Sequence, residues 1–316
     1  MCKKPLLIVN PRYKKLAEQG KCSVRRFSLQ PDYKILVPCG HCSECLSKRK
    51  QQWFSRAQHL FDRMHLEPEQ CLFCTFTLRP EVYEAAKEKP YIPIRRFLDR
   101  LRKHPRFIIG TNKRGKPVYR KVKFPYLFVV EFADGKRAAE RGLPSTHRMH
   151  YHAILFNPPL YWWQIRDLWK CNGIATVEPM KSMAGVNYTL KYLFKDCPSC
   201  QYLSDVDARK NGKLIVSHRF GRLSKEDIRI MRENMLKSEQ SWFCHYINNF
   251  RYSIPRYWKN QCFTKDEQKC INETLVSPLI WKSLCRKYSG KSDKFIISLF
   301  NYLMHNGTYV LIPKAQ

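Results

Sequence analysis

Long apolar runs are missing from this chain: no segment has the roughly twenty consecutive apolar residues that cross a bilayer. The opening residues, Met1–Pro5, lead into no apolar stretch with a cleavage site, so an export signal is also lacking. We therefore expect no membrane partner, no export and a cytoplasmic protein. Internal repeats and low-complexity linkers are absent as well, so composition alone marks no sharp domain boundary.

Acidic residues are scarce. The 316 residues include 26 Asp and Glu against 58 Lys and Arg, a net charge of +32 that is spread along the chain. Such an excess repels itself unless an anion offsets it, and nucleic acid is the commonest polyanion. The 17 Tyr, 18 Phe and 7 Trp add rings on which single-stranded bases stack, although most must belong to the core. The composition favours nucleic-acid binding over a charge that serves only solubility or a membrane surface.

Cysteine is plentiful by contrast, and 14 cysteines in a long basic chain without an export signal favour reduced thiols or metal ligands over disulfides. Cys39, Cys42 and Cys45 form two C-x-x-C steps that bring three thiolates into one tight turn, a spacing typical of zinc sites. The candidates for a fourth ligand are Cys2, Cys22 and His41. We favour Cys2, because four thiolates complete a structural zinc site with no open position. The alternative is a set of buried or free thiols at the start of a helix.

The stretch Arg148–Phe156 reads His-aromatic-His and then runs apolar up to prolines, which indicates a short buried strand. Side chains alternate along a strand, so His150 and His152 leave the same face about 7 Å apart, a spacing that suits one metal ion. Glu131 is our third ligand, because a carboxylate near the end of an apolar strand needs a cation or water beside it. The substitutes for it are Glu140 and Glu178. The alternative is that these are polar residues on the wet face of a strand.

A second segment, Ser182–Lys195, has the pattern of a helix. Tyr188 and Tyr192 are four residues apart, so on a helix they share one face about 6 Å apart, with Lys191 and Lys195 beside them. A phenol has a pKa of about 10 and is a weak nucleophile unless a cation favours its phenolate, and the two lysines supply part of such a field. The alternative is an ordinary half-buried aromatic stripe.

Four further residues are candidates for nucleic-acid contact. Thr75 and Thr77 lie on a predicted strand, where their hydroxyls can bond a scissile DNA strand or the metal ligands; they can equally be ordinary strand residues. Arg256 and Tyr257 lie in a basic and aromatic segment that suits phosphate contact and stacking.

The chemistry that these groups permit is transfer of a phosphate ester. Two imidazoles and a carboxylate leave open positions on a divalent ion, which a phosphodiester oxygen can fill. Attack by a tyrosine on DNA conserves bond energy in a 5′-phosphotyrosine and frees a 3′-OH, and a second tyrosine can attack a second junction. We predict a metal-dependent DNA endonuclease and strand transferase. The alternatives are a non-catalytic, zinc-stabilised nucleic-acid-binding protein and a metal-dependent hydrolase that uses water.

With these residues in place, the chain resembles the replication initiators of the HUH endonuclease superfamily, and most closely the replication-associated proteins of microviruses, small single-stranded DNA phages. The resemblance rests on Cys74–Leu78, His150–His152 and Tyr188–Tyr192, in the order and spacing of the family. The cysteine cluster and Ile254–Tyr257 look like the gokushovirus type. The middle residue of the His motif is Tyr151 where the family usually has an aliphatic residue. The resemblance covers roughly residues 1 to 260.

The resemblance implies rolling-circle replication: nicking at the origin, covalent attachment to the 5′ end, priming from the 3′-OH and rejoining of the displaced single-stranded circle. It also implies Mg²⁺ or Mn²⁺, a host helicase and polymerase as partners, and a location in the bacterial cytoplasm. The expected fold is α+β, a central antiparallel, RRM-like sheet flanked by helices with the His pair on a middle strand. We divide the chain into a Cys-rich segment with a basic helix (1–66), an endonuclease core (67–200) and a mainly helical, basic and aromatic region (201–316).

Overall fold

The structure is a computed structural model of the 316-residue chain. It describes residues 6–10, 34–40, 42–133, 148–192, 212–237, 244–247 and 250–271, together with short stretches and single residues elsewhere. The chain forms two compact units, residues 50–222 and residues 1–49 with 223–316. The three-part division expected from the sequence stays a prediction.

The strands and helices follow one another along the chain in mixed order. The strands are β1 (Leu6–Val9), β2 (Lys34–Val37), β3 (Cys71–Phe76), β4 (Ile108–Thr111), β5 (Pro117–Tyr119), β6 (Tyr126–Phe132), β7 (Met149–Phe156), β8 (Ala175–Pro179), β9 (Leu214–Val216), β10 (Cys244–Ile247) and β11 (Phe250–Ser253). The helices are α1 (Ser43–Arg63), α2 (Pro80–Glu88), α3 (Tyr91–Arg102), α4 (Trp162–Trp169), α5 (Ala184–Lys191), α6 (Lys225–Lys237), α7 (Arg256–Cys262) and α8 (Lys265–Ile271). Among the described helices, none combines the length and the apolar character needed to span a membrane.

Five strands of residues 50–222 form one antiparallel sheet in the order β8-β3-β7-β6-β9. The His strand β7 is therefore the middle strand, as expected. Its register pairs His150 with Glu131 on β6, and His152 with Thr75 on β3. The α+β class with a central antiparallel sheet flanked by helices is confirmed.

The two faces of this sheet carry separate cores, because side chains alternate along each strand. On one face Phe76, Phe128 and Tyr151 pack with aromatic and aliphatic side chains of α3 and α4, among them Phe97 and Trp169. The other face packs a second cluster against side chains of α1 and α5. The members of that cluster on the sheet and on the two helices include Leu127, Val129, Ile154, Ala57, Val186 and Leu190. Both histidines belong to this second face, since they alternate with Tyr151.

The other unit is described in parts. β1 pairs with β2 and β10 with β11, each antiparallel. Its helices α6 to α8 enclose a small apolar cluster that includes Leu223, Trp258 and Phe263. The Arg232 guanidinium lies 2.8 Å from the Glu267 carboxylate, and this bond lowers the pKa of Glu267 to about 2. The described part of the C-terminal region is thus mainly helical.

Candidate metal and tyrosine site

The three expected ligands converge. The Nε2 atoms of His150 and His152 lie 2.8 and 2.7 Å from the same carboxylate oxygen of Glu131. One ligand atom from each residue lies within 4.8 Å of the other two. Glu131 and His152 are only 3% and 5% exposed, whereas His150 is partly exposed. The strand register produces this convergence, because Glu131 and His150 are directly paired and His152 follows on the same face.

The hydrogen bonds of His150 indicate that a cation belongs in this cluster. Its Nδ1 atom lies 3.2 Å from the backbone carbonyl oxygen of Arg148, which can only accept, so this nitrogen carries the proton of a neutral ring. The Nε2 atom then presents a lone pair toward the Glu131 oxygen. Two lone pairs at this distance repel each other unless a second ring proton or a metal ion lies with them. Two imidazoles and one carboxylate are a suitable donor set for a divalent metal ion.

Thr75 supports the ligand set from the neighbouring strand. Its hydroxyl lies 3.2 Å from Nδ1 of His152, the ring nitrogen that faces away from Glu131. A hydrogen bond to this second nitrogen fixes the orientation and protonation of a ligating imidazole. Of the two options left by the sequence, contact with the scissile strand or with the ligands, the structure places Thr75 on a ligand.

Both tyrosines lie beside the histidines. The Tyr192 ring stacks on the His152 ring, with centroids 3.7 Å apart and planes 5° apart. The Tyr192 hydroxyl donates to the Tyr188 oxygen at 2.6 Å. Tyr188 is 42% exposed and Tyr192 only 7%. The cluster therefore presents one accessible phenol, which is hydrogen-bonded to a buried phenol that touches a candidate metal ligand.

The helix that carries the tyrosines is shorter than expected. It was predicted over Ser182–Lys195 and is observed as α5, Ala184–Lys191, with Tyr192 as its C-terminal cap. Tyr192 keeps helical backbone angles, so the four-residue spacing still brings the two rings together, at 5.3 Å between centroids. The Lys191 ammonium lies 5.7 Å from the centre of the Tyr188 ring. Lys195 lies outside the described residues.

The remaining candidates from the same unit lie apart from the ligand cluster. Glu178 and Glu140 are both exposed, and neither belongs to the group that the structure brings together with the histidines. The Thr77 hydroxyl donates to the carbonyl oxygen of Ile174 and accepts from the Ile174 N–H, so it holds two chain segments together. A DNA contact by Thr77 stays a prediction.

The candidates in the other unit are placed in part. Arg256 is exposed at the first position of α7, and Tyr257 is half-buried against the cluster formed by α6 to α8. Their DNA contacts stay predictions. The Sγ atoms of Cys39, Cys42 and Cys45 lie within 4.8 Å of one another, and these cysteines form no disulfide. The proposed and alternative fourth ligands, Cys2, Cys22 and His41, lie outside the described residues.

Phe73 is a site residue that the sequence analysis missed. Its ring lies 6.3 Å from that of His152 in a stacked orientation and 5.7 Å from that of Tyr188, edge to face. It precedes Thr75 by two residues on β3, so the alternation of a strand places both on the same face. That alternation was a usable signal. The contact with Tyr188 depends on where α5 packs and could not be deduced from the strand alone.

Comparison with known families gives one finding for this region. Residues 71–197 match a family model whose description is that of a replication-associated protein of the ORF2 type. No curated protein and no solved structure gives a significant match. The matched segment runs from the start of β3 past Tyr192, so it contains the three candidate ligands, Thr75 and both tyrosines. This match supports a role for the chain in DNA replication.

Proposed function

We propose that this protein is a replication initiator that nicks origin DNA through a tyrosine nucleophile. It becomes covalently linked to the 5′ end, leaves a 3′-OH as primer for rolling-circle replication and later rejoins the displaced circle. The observation that carries the proposal is the contact of the tyrosine pair with the ligand cluster, through the stacked rings of Tyr192 and His152. The replication-associated family match supports it independently.

Glu131, His150 and His152 would hold the ion, Mg²⁺ or Mn²⁺. When bound, a divalent ion polarises a phosphodiester oxygen and offsets the negative charge that develops at phosphorus. The chain itself prepares the ligands: the Arg148 carbonyl fixes the proton of His150 on Nδ1, and Thr75 orients His152. Both histidines can thereby present Nε2 as a donor, on the side where the Glu131 carboxylate lies.

We assign the first attack to Tyr188. Its phenol is exposed enough to meet a DNA phosphate, whereas Tyr192 is almost enclosed. The hydrogen bond from the Tyr192 hydroxyl stabilises negative charge on the Tyr188 oxygen, and the nearby Lys191 ammonium acts in the same direction. The Tyr188 oxygen forms a bond to phosphorus while the bond from phosphorus to the 3′ oxygen breaks. The net reaction moves the phenol proton to the new 3′-hydroxyl.

Tyr192 then has two roles. Before cleavage its ring rests on His152 and its hydroxyl orients Tyr188, so it acts as a positioning residue. After cleavage Tyr188 is esterified, and Tyr192 is the unesterified phenol that can attack the second junction, which releases the 3′ end needed for rejoining. This second step requires a shift of Tyr192 toward the solvent.

The finer identity of the protein is part of the same proposal. The resemblance to microvirus proteins of the gokushovirus type extends beyond the matched segment to the cysteine cluster and to Ile254–Tyr257. We therefore propose action on a phage origin in the bacterial cytoplasm, with a host helicase and polymerase as partners. Arg256 and Tyr257 are proposed as additional DNA contacts.

Adduct formation tests this proposal. The protein is incubated with Mn²⁺ and a labelled pool of single-stranded oligonucleotides of random sequence, which removes the need to know the origin. Adducts that survive denaturation are isolated and sequenced. We expect none from Tyr188→Phe, because the first nucleophile is gone. Tyr192→Phe should still give the adduct, at a rate lowered about tenfold by loss of one hydrogen bond to a charged oxygen.

Tyr91→Phe is the matched control, because Tyr91 is equally exposed on a helix and has no contact with the ligand cluster. Adducts from Tyr188→Phe at the wild-type level would exclude the assigned order. Cleavage without any adduct would indicate a hydrolase that uses water, and binding without cleavage would indicate a non-catalytic nucleic-acid-binding protein.

For the cysteine cluster we propose structural Zn²⁺, held by Cys39, Cys42 and Cys45, with Cys2 as the fourth ligand. Zinc–sulfur bonds of about 2.3 Å fit three sulfurs at this separation. The backbone N–H of Cys42 donates to Cys39 Sγ at 3.3 Å, a bond that favours a thiolate.

Metal analysis checks this assignment. We expect one zinc per chain in the purified protein, lost in Cys42→Ser and retained in Cys171→Ser, which changes an exposed cysteine outside the cluster. An equal zinc content in both variants would contradict it.

A further inference from the structure

Three consecutive aromatic side chains are exposed at the start of α4. Tyr161, Trp162 and Trp163 keep 54%, 40% and 43% of their surface accessible. The rings of Tyr161 and Trp163 stack 4.5 Å apart with planes 5° apart, and Trp162 meets Trp163 edge to face at 5.6 Å. Two guanidinium groups cover this cluster: that of Arg106 lies 5.4 Å from the Tyr161 ring and that of Arg166 lies 5.3 Å from the Trp162 ring. We call these five residues the α4 aromatic surface.

This surface is not needed by the core. The residues that α4 buries against the sheet are Ile165 and Trp169, which lie on the side of the helix that faces Phe76 and Tyr151. Two adjacent tryptophans on the solvent side are a contiguous apolar patch, and such patches on soluble proteins commonly mark interaction sites.

The charge beside the surface is positive. The hairpin of β4 and β5 begins two residues after Arg106, and the segment 108–123 contains six basic residues and no acidic one. These are Lys113, Arg114, Lys116, Arg120, Lys121 and Lys123, and all six are exposed. On α4 itself, the carboxylate of Asp167 pairs with Lys170 at 2.9 Å. A polyanion that also carries flat apolar groups complements this combination of charge and rings.

The α4 aromatic surface lies on the opposite side of the sheet from the tyrosines. α4 packs on the face that carries Tyr151, whereas His150, His152 and Tyr192 belong to the other face. A nucleic acid bound at α4 is therefore held apart from the phosphate that reacts.

We propose that the α4 aromatic surface is a second binding site for single-stranded DNA, one that holds the strand by base stacking away from the tyrosine site. Unpaired bases can stack on Tyr161, Trp162 and Trp163, while Arg106 and the hairpin neutralise phosphates. Duplex DNA lacks free base faces, so single strands are preferred. The proposal extends the proposed function: a strand joined to the protein at one face remains held at the other while replication proceeds.

The test is a binding titration that is independent of the tyrosine chemistry. All proteins carry Tyr188→Phe and Tyr192→Phe, and the buffer contains EDTA, so neither adduct nor metal contributes. The probe is a fluorescent oligonucleotide of about twenty thymidines, followed by anisotropy. The double change Trp162→Ala and Trp163→Ala should weaken binding at least about tenfold, since two stacking rings are lost. Tyr91→Ala removes an exposed ring at the far end of α3 and should leave the affinity within about twofold.

A second measurement needs no variant of the surface. Photocrosslinking of a bromodeoxyuridine oligonucleotide to the otherwise unaltered chain should modify the peptide that contains residues 161–163. An unchanged affinity in the double variant, an equal loss in Tyr91→Ala or crosslinks confined to other peptides would overturn the proposal. A loss seen only with duplex DNA, or only with a protein ligand, would overturn it too. Because adduct formation is assayed separately, failure here leaves the tyrosine mechanism standing.

Discussion

Glu131 is a carboxylate enclosed in an apolar strand. Its neighbours Leu127 to Val130 and Phe132 are almost completely buried, and Glu131 itself is 3% exposed. Burial of an unpaired carboxylate costs several kcal/mol, so the charge must be offset locally. The two imidazole Nε2 atoms on one Glu131 oxygen are the groups placed to offset it, as imidazolium or together with a metal ion. The residue is thus understandable as a ligand and costly as a purely structural glutamate.

The first residue-scale prediction concerns Thr75→Val. Valine has nearly the shape of threonine and suits a strand, but it removes the hydroxyl at 3.2 Å from His152 Nδ1. Loss of such a bond to a ligating histidine typically lowers metal affinity 10- to 100-fold. We expect Mn²⁺ affinity, measured by calorimetry, to fall by about this factor with little change in unfolding temperature.

Thr176→Val is the matched control. Thr176 on β8 is the direct cross-strand partner of Thr75, so it lies on the same face of the sheet, but it is exposed and has no bond to a histidine. Its Mn²⁺ affinity should equal that of the wild type. Equal losses in both variants would mean that the Thr75 hydroxyl has no specific part in the ligand set.

At the scale of elements, alternation made β7 predictable. The pattern His-Tyr-His followed by apolar residues predicted a buried strand with both histidines on one face, and the structure shows that face and places Tyr151 on the other. The register with β6 was not deducible, because it depends on pairing between strands that are distant in sequence. That register makes Glu131, rather than Glu140 or Glu178, the neighbour of the histidines.

Helix length was less predictable than helix position. The periodic pattern continued to Lys195, whereas α5 ends at Lys191. The expected pairing of Tyr188 and Tyr192 depended only on local spacing and was observed. The stacking of Tyr192 on His152 depends on how α5 packs on the sheet, which no local pattern specifies. The exposed start of α4 was also hidden from the sequence, since Trp162 and Trp163 read equally well as core residues.

Gly221 gives a prediction about how one element is anchored. It has φ +59°, and a Cβ at this position would lie 2.5 Å from the carbonyl oxygen of Arg56 on α1. The Arg56 guanidinium in turn donates to the carbonyl oxygen of Phe220. Gly221→Ala therefore combines left-handed backbone strain with a clash against helix backbone. We expect a loss of about 3 kcal/mol or more in the free energy of unfolding, measured by urea denaturation.

Gly115→Ala separates the two contributions. Gly115 has a similar φ of +70° at the tip of the β4–β5 hairpin, but no atom lies within 4 Å of the added Cβ. Only the backbone strain remains, about 1 kcal/mol. If Gly221→Ala costs no more than Gly115→Ala, α1 is not packed closely against this turn.

At the scale of the whole molecule, charge and chemistry are separable. The net charge of +32 was readable from composition, and it predicts sequence-independent attraction to phosphates wherever the basic residues lie. The ligand cluster, by contrast, depends on three side chains from two paired strands. Composition could therefore predict the class of partner, whereas the reacting group had to be inferred from motifs and from the packing between them.

The double change His150→Ala and His152→Ala tests this separation. It removes both imidazoles but no lysine or arginine, so the electrostatic part of DNA binding should persist. We expect no detectable adduct, together with an affinity for an oligonucleotide of about twenty thymidines within about threefold of the wild type. The logarithm of that affinity should still fall linearly with the logarithm of salt concentration, with an unchanged slope. His218→Ala, at an exposed histidine outside the cluster, should alter neither property. A parallel loss of binding and cleavage in the double variant would show instead that the metal cluster supplies the affinity, and that the positive charge of the chain serves another purpose.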